Sequence, residues 1–353
     1  MDDSRTTGTC ACSSPVPSCS CAASPSPTAP VRSTDSTLSF TNLLDHFLAR
    51  WGVNRMGHIV TPGLYRLGNP GPESPVFASA NYTLSFDALR SALKGIDGYL
   101  LVLDTKGINV WCAAGKGTFG TAELVRQIQN TALDTVVRHR RIIVPQLGAP
   151  GVSWQEVLRQ SGFTVEYGPV RARDLPVYLK ARMATPSMRR VEFPLRDRLV
   201  LAPMELVTVA LPAIVATVAL LFLAGPVSAL AAASTVLAGT VLFPAFLPVL
   251  PTRDFSTKGL ILGGIVALPF AYLLGSAPGL PGWAAVLAAL AALALMPAVT
   301  AYLALNFTGS TTFTSRTGVK KEIYRYVPIM VAMAVAGVVA VIGLGAGRLT
   351  GGL

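Results

Sequence analysis

One stretch carries the residue types that can do chemistry: Asn109-Val110-Trp111-Cys112-Ala113-Ala114-Gly115-Lys116-Gly117-Thr118-Phe119-Gly120. It sets a lone cysteine at the end of a short apolar run, Ile108 to Trp111, ahead of a glycine-rich turn. A thiol that lies at a helix start and near a lysine ionises readily, and the thiolate is the reactive form. Nucleophilic catalysis would also need a base. The histidines are His46, His58 and His139, and none of them sits in a recognisable motif with Cys112. The alternative is a small cysteine buried at a strand end that serves packing alone, because free cysteine is among the most buried residue types.

Gly115-Lys116-Gly117-Thr118-Phe119-Gly120 fits G-x-G-x-x-G, which raises dinucleotide binding as a second possibility. The rest of that fingerprint is missing, since no acid follows the next strand, Ile142–Pro145, to hold a ribose hydroxyl. A phosphate-binding P-loop fails as well. Val110 stands where its first glycine belongs, and Gly117 where Ser or Thr should follow Lys116.

The elements that must position this stretch follow from composition and periodicity. The 353 residues are 51% hydrophobic and only 13% charged, too few charges for a wholly soluble chain. Residues 1–37 are rich in Ser, Thr, Pro and Ala and read as a disordered tail. Its acidic opening, Met1-Asp2-Asp3, followed by no apolar h-region, predicts a cytoplasmic N-terminal part. The tail holds Cys10, Cys12, Cys19 and Cys21 as two C-x-C pairs, which a reducing compartment would keep from forming a disulfide framework. They can bind a soft metal ion, or they are incidental thiols.

Residues 38–185 read as an α/β domain. Leu43, Leu44, Phe47, Leu48 and Trp51 recur at helical spacing and predict a packed first helix. Gly63 to Pro75 reads as a turn-rich connection, Val76–Ser79 as a strand, and Ser85 as the cap of a helix ended by Gly95. Tyr99–Leu103 is an apolar run of the kind buried on both faces in a parallel sheet. Ile108–Trp111 reads as a further short strand, Ala122–Leu133 as a helix, Ile142–Val144 as a strand, Trp154–Gln160 as a helix, Phe163–Tyr167 as a strand and Asp174–Arg182 as a helix. Alternation of this kind predicts an open, Rossmann-like sheet.

A basic linker, residues 186–198, leads into an all-α transmembrane bundle over residues 199–353. Its five helices are expected near Leu199–Ala224, Val227–Leu250, Gly259–Leu274, Trp283–Leu305 and Val327–Leu344, the third being short for a bilayer. With the α/β domain inside, Arg189, Arg190, Arg196, Arg198, Arg253, Lys258, Arg316, Lys320, Lys321 and Arg325 fall on the cytoplasmic side and only Arg348 outside. This bias predicts a multi-pass protein of the inner membrane with its C-terminus outside. It also accounts for much of the net charge of +11 without nucleic acid as a partner. Glu205 is the one acid near a span and lies close to its inner end, so the bundle reads as an anchor and not an ion pathway.

The stretch Asn109–Lys116 resembles the signature of the mercury-methylating corrinoid protein (HgcA) family, whose soluble domain is similar to the corrinoid-binding domain of the corrinoid iron–sulfur protein. Gly63-Leu64-Tyr65, Ala80–Asp87, the five spans and Phe307–Ser315 share in the resemblance, which covers roughly residues 40–353. It implies a cobalamin-type corrinoid bound by Asn109, Val110, Trp111, Cys112, Ala113, Ala114, Gly115 and Lys116, with Cys112 as lower axial ligand of the cobalt. No Asp-x-His-x-x-Gly occurs to supply a histidine instead. The implied activity is a methyltransferase of anaerobic metabolism that forms methylmercury from Hg(II), since a soft, strong donor favours methyl transfer to a soft electrophile. The implied partners are a ferredoxin-like protein with two 4Fe–4S clusters as electron donor and a methyltetrahydrofolate-linked methyl donor.

Within that reading Asn109 is expected to bond the thiolate or a corrin amide and Trp111 to wall the ligand or simply to pack. Lys116 would meet a corrin side chain, and the small residues would let a flat ring approach. Cys10, Cys12, Cys19 and Cys21 become candidates to pass Hg(II) inward, and Thr308, Gly309, Ser310, Thr311 and Thr312 a candidate docking loop at the inner face. Two other classes stay open: a membrane-anchored nucleotide-binding or redox-sensing protein, and a transporter with a regulatory thiol domain.

Overall fold

A computed structural model describes residues 30–311 and 314–349. Six strands form one sheet in the order β1-β2-β4-β3-β5-β6. They are β1 (Arg32–Thr34), β2 (Gly63–Leu67), β3 (Val76–Ala80), β4 (Gly98–Leu103), β5 (Arg141–Val144) and β6 (Thr164–Tyr167). All neighbours are parallel except β2 and β4, so the expected α/β sheet is present with one antiparallel pair.

The sheet is covered on both faces, as its continuous apolar strands require. Alternation along each strand sorts the side chains. Ala78, Leu101, Leu103, Ile142 and Val144 face α4 (Thr121–Asn130) and α6 (Trp154–Ser161) through Leu124, Ile128 and Val157. Phe77, Leu100, Val102 and Ile143 face α2 (Thr83–Ala92) and α7 (Leu175–Ala181) through Phe86, Leu89 and Tyr178. A short helix α5 (Leu133–Val136) closes the first of these layers.

Four local expectations are corrected. Gly63–Leu67 is a strand, not part of a turn: Leu64, Tyr65 and Leu67 are buried and Arg66 points out, a pattern obscured by the adjoining Gly68–Pro72 punctuation. Arg32–Thr34, expected within the disordered tail, pairs in parallel with β2. Ser85 lies inside α2, whose first turn has Tyr82 as N-cap and no side-chain cap. Ile108–Trp111 is not a strand, because helix α3 (Val110–Lys116) starts within it, capped by the Asn109 side chain.

The first helix, α1 (Phe40–Arg50), forms as the periodicity predicts, with a capping box in which Ser39 and Asn42 satisfy each other's backbone N–H. It is not packed by its apolar face, however: Phe40, Leu43, Leu44, Phe47 and Trp51 are all exposed.

Five helices beyond the sheet domain are long and apolar enough to cross a membrane: Leu195–Ala224, Pro226–Phe246, Phe255–Gly275, Gly282–Ser310 and Thr317–Gly347. The third has 21 residues and is not short, because Phe255–Lys258 extend it. Arg198 Nη1 donates to the carbonyls of Pro244 (2.8 Å) and Ala245 (2.6 Å), tying the first span to the end of the second. The third and fourth spans touch backbone to backbone. A Cβ at Gly259 would lie 2.6 Å from Ala301 Cα, and one at Gly263 2.6 Å from Pro297 Cα, a small-xxx-small contact of the sort that packs helices in lipid. Gly263→Leu is therefore expected to lose at least about 1–3 kcal/mol by overpacking. A lower thermal midpoint in detergent checks this, with Gly264→Leu, which meets nothing within 4 Å, leaving the midpoint unchanged.

Candidate functional site

From β3 the chain runs through α2 to β4 on one side, and from β4 through α3 and α4 to β5 on the other side of β3. The connection direction reverses between β3 and β5, and in open α/β sheets ligands bind outside the carboxyl ends of the strands at such a point. A cleft of about 420 Å3 lies there, floored by Phe77, Ser79 and Ile143. Tyr82, Ser85 and Leu89 wall one side and Gly168, Val170 and Leu175 the other, while Asn109, Val110 and Trp111 of the α3 start close one end. Burial raises the Tyr82 phenol above its ordinary value, opposed by the nearby Arg50 and supported by Asp45.

The loop that delivers α3 is built on Asn81, which follows β3 directly and is buried. Its Oδ1 accepts from the backbone N–H groups of Thr105 (3.0 Å) and Gly107 (3.0 Å) and lies 2.8 Å from the Thr105 hydroxyl, which also reaches the Ile108 carbonyl at 2.7 Å. Lys106 and Gly107 both turn with positive φ, 61° and 69°, so the loop folds back tightly before the helix. The Asp104 N–H is held by Glu123 of α4 at 2.8 Å. Asn81 thus fixes where α3 begins. Asn81 lies within the Ala80–Asp87 stretch, but its place at a strand's carboxyl end has no signature in the local sequence pattern.

Asn109 Oδ1 accepts from the Cys112 N–H at 2.9 Å, so the asparagine caps the helix that carries the cysteine instead of pointing to the thiol. Cys112 is a free, half-buried thiol in the first turn. Ala113 and Ala114 turn inward and are buried. They pack α3 against the Gln146–Gly151 segment, where a Cβ on Gly151 would lie 3.1 Å from Ala114 Cα. Their small size therefore serves close packing behind the helix, not approach of a ligand in front. On the open side stand Cys112, Gly115 and Lys116, one turn apart, and a Cβ at Gly115 would meet nothing within 4 Å.

Gly117, at φ 84°, is the left-handed cap that ends α3, its N–H returning to Ala113 and Ala114, and Gly120 caps α4. The G-x-G-x-x-G run is a helix–helix junction and not a strand–turn–helix phosphate loop. The histidines are engaged elsewhere: His46 Nε2 with Asp87 (2.7 Å), His58 with Asp45 (2.7 Å) and the Val53 carbonyl (2.7 Å), and His139 with the Ser74 carbonyl (2.7 Å). Among the described hydrogen bonds none joins a histidine to Cys112, so a Cys–His nucleophile is not assembled.

Thr308 and Thr311 are buried at one end of the bundle, behind Phe307, and the Ser310 hydroxyl donates to Glu205 at 2.5 Å. This segment seals the bundle and lines no part of the cleft, and Gly309 faces open space. Thr312, Cys10, Cys12, Cys19 and Cys21 lie outside the described residues.

Residues 54–178 match the CO dehydrogenase/acetyl-CoA synthase delta subunit family. That span contains β2–β6, the cleft and Cys112. Similar proteins include the acetyl-CoA decarbonylase/synthase complex subunit gamma of Archaeoglobus fulgidus, 37% identical over 26% of this chain and 20% of its own length. The same subunit of Methanopyrus kandleri is 35% identical over 34% of this chain and 26% of its own. The corrinoid/iron-sulfur protein large subunit of Moorella thermoacetica is 28% identical over 35% of this chain and 27% of its own. The chain thus spans about a quarter of the length of these curated relatives, and its five apolar helices lie beyond the matched region.

Proposed function

We propose that this chain is a membrane-bound corrinoid methyltransferase whose Cys112 thiolate is the lower axial donor to cobalt and whose methyl acceptor is Hg(II). The observation that carries the reading is a free cysteine on the open face of α3, directly after Asn109, Val110 and Trp111 that line the switch-point cleft, in a domain similar to a corrinoid/iron-sulfur protein subunit.

The residues present fit the cofactor. Among the described residues no three His, Cys, Asp or Glu side chains gather as a metal site, so a metal at Cys112 must bring its remaining donors with it, as a corrinoid macrocycle does. The open surface at Gly115 leaves room beside the thiol for a flat ring. When bound, the corrinoid supplies a cobalt centre that carries a methyl group to a soft acceptor.

The protein's own residues hold and orient. Cys112 would hold the cobalt as a soft, electron-donating ligand. Asn81 and Asn109 fix the start of α3, and Ala113 and Ala114 brace it from behind, so the sulfur is held by backbone and not by a mobile loop. Trp111 presents a rigid wall to the cleft, and Lys116, exposed one turn beyond Cys112, would be free to meet a substituent of the ring. Recharging requires an electron donor and a methyl source. A ferredoxin-like protein with two 4Fe–4S clusters and a methyltetrahydrofolate-linked donor fill these roles in our reading, and the basic residues flanking the spans support a cytoplasmic position for the α/β domain.

Purified full-length protein is expected to show a cobalt-corrinoid absorption spectrum at one equivalent per chain. A colourless preparation that binds NAD would defeat the proposal and favour the nucleotide-binding alternative.

A further inference from the structure

Helix α1 is built inside out for a soluble protein. Its polar residues point into the domain: Asn42 Oδ1 accepts from Arg90 Nη2 at 3.0 Å, Asp45 binds His58 at 2.7 Å and His46 binds Asp87 at 2.7 Å. Its apolar residues point away from the domain, with Phe40 78%, Leu43 52% and Phe47 55% exposed, and Trp51, Val53 and Met56 continue the patch beyond its end. Solvated helices bury the opposite face. An apolar patch of this continuity on a folded domain marks an interaction surface.

The structure also indicates what covers it. The end of α1 meets the start of the first span: a Cβ on Gly52 would lie 3.3 Å from Met204 Sδ and 4.0 Å from Val207. No residue in the most apolar stretch of that span is buried, so much of its surface is available to acyl chains. The patch is thus continuous with a surface whose solvent is lipid, at the level where the span begins and where Arg50 and Arg55 flank the helix end. We infer that α1 lies in the membrane interface, its Phe40–Trp51 face sunk among the upper acyl chains and Arg50 and Arg55 at the headgroups, as amphipathic helices do.

The inference is independent of the corrinoid reading. Through His46 to Asp87, α1 is bonded to α2, which walls the cleft, so an interfacial α1 holds the cleft at a set height above the bilayer.

The test replaces Phe47 with the photoreactive p-benzoylphenylalanine in the full-length protein, reconstituted in vesicles of phosphatidylcholine and phosphatidylglycerol. The same residue at Phe222, 83% exposed on the first span, serves as lipid-facing reference, and at Glu156 on α6 as the aqueous one. Irradiation is expected to give phospholipid adducts at position 47 at a yield within about threefold of that at 222 and well above that at 156. Adducts to a second copy of the chain, or a lipid yield no higher than at position 156, would overturn the inference.

Discussion

Protein carrying Cys112→Ala is expected to be synthesised and inserted normally and to transfer no methyl group to Hg(II). Cys112 is half-buried, sits in the open first turn of α3 and makes no side-chain hydrogen bond among the described residues, so its loss leaves the fold intact. Removal of the one soft donor at the site should reduce methylmercury formation by at least about a thousandfold, roughly 4 kcal/mol in the transition state. Methylmercury is measured in reconstituted membranes alongside the cobalt spectrum. Cys112→His supplies a harder, weaker donor, and here the spectrum should persist while transfer slows. Full activity in the alanine variant would sink the axial-ligand assignment.

The second large effect is expected at a residue that touches neither thiol nor acceptor. Asn81→Ala removes the acceptor shared by the Thr105 and Gly107 N–H groups and the Thr105 hydroxyl, all close to β4 and its exit. Orphaned buried donors cost about 1–3 kcal/mol each, and their sum is not additive. A loss of at least about 2 kcal/mol is expected, with the positive-φ loop at Lys106–Gly107 released and α3 no longer aimed. The thermal midpoint should fall, and the corrinoid retained after gel filtration should drop severalfold. Asn81→Asp keeps the acceptor oxygen but sets a second carboxylate where the Asn81 amide now donates to Asp104 Oδ1 at 3.4 Å, so it should recover only part of the retention. If the alanine variant held the cofactor as the parent does, the positioning role would be wrong.

Much of the fold was legible because its signals were long. Tyr99–Leu103 read as a doubly covered strand and is buried throughout, and the five apolar runs became five helices. The short elements around the site were not. Three residues of β1 in a Ser/Thr-rich stretch carry no periodicity, and their strand exists only because β2 offers an edge. β2 itself was hidden by the turn signals that follow it. In Ile108–Trp111 three apolar residues around one asparagine cannot distinguish strand from helix, and the outcome rests on that side chain, Asn109, capping α3. Cys112 was found by type and neighbourhood. The cleft residues Ser79, Tyr82, Pro145 and Gly168 come together only through strand order, which no local pattern encodes. For α1 the periodicity was correct and the burial inverted, because spacing reports that a helix has an apolar face but not which solvent that face meets.

The floor of the cleft has one further property. β3 is joined to β4 by five paired residues and β5 to β6 by four, yet β3 meets β5 through the single pair Phe77↔Ile143. The sheet is therefore least extensively paired under the cleft. The two buried apolar layers cross this line, from Ala78 to Val144 on one face and from Phe77 to Ile143 on the other, so side-chain packing and not the hydrogen-bond ladder holds the cleft floor together.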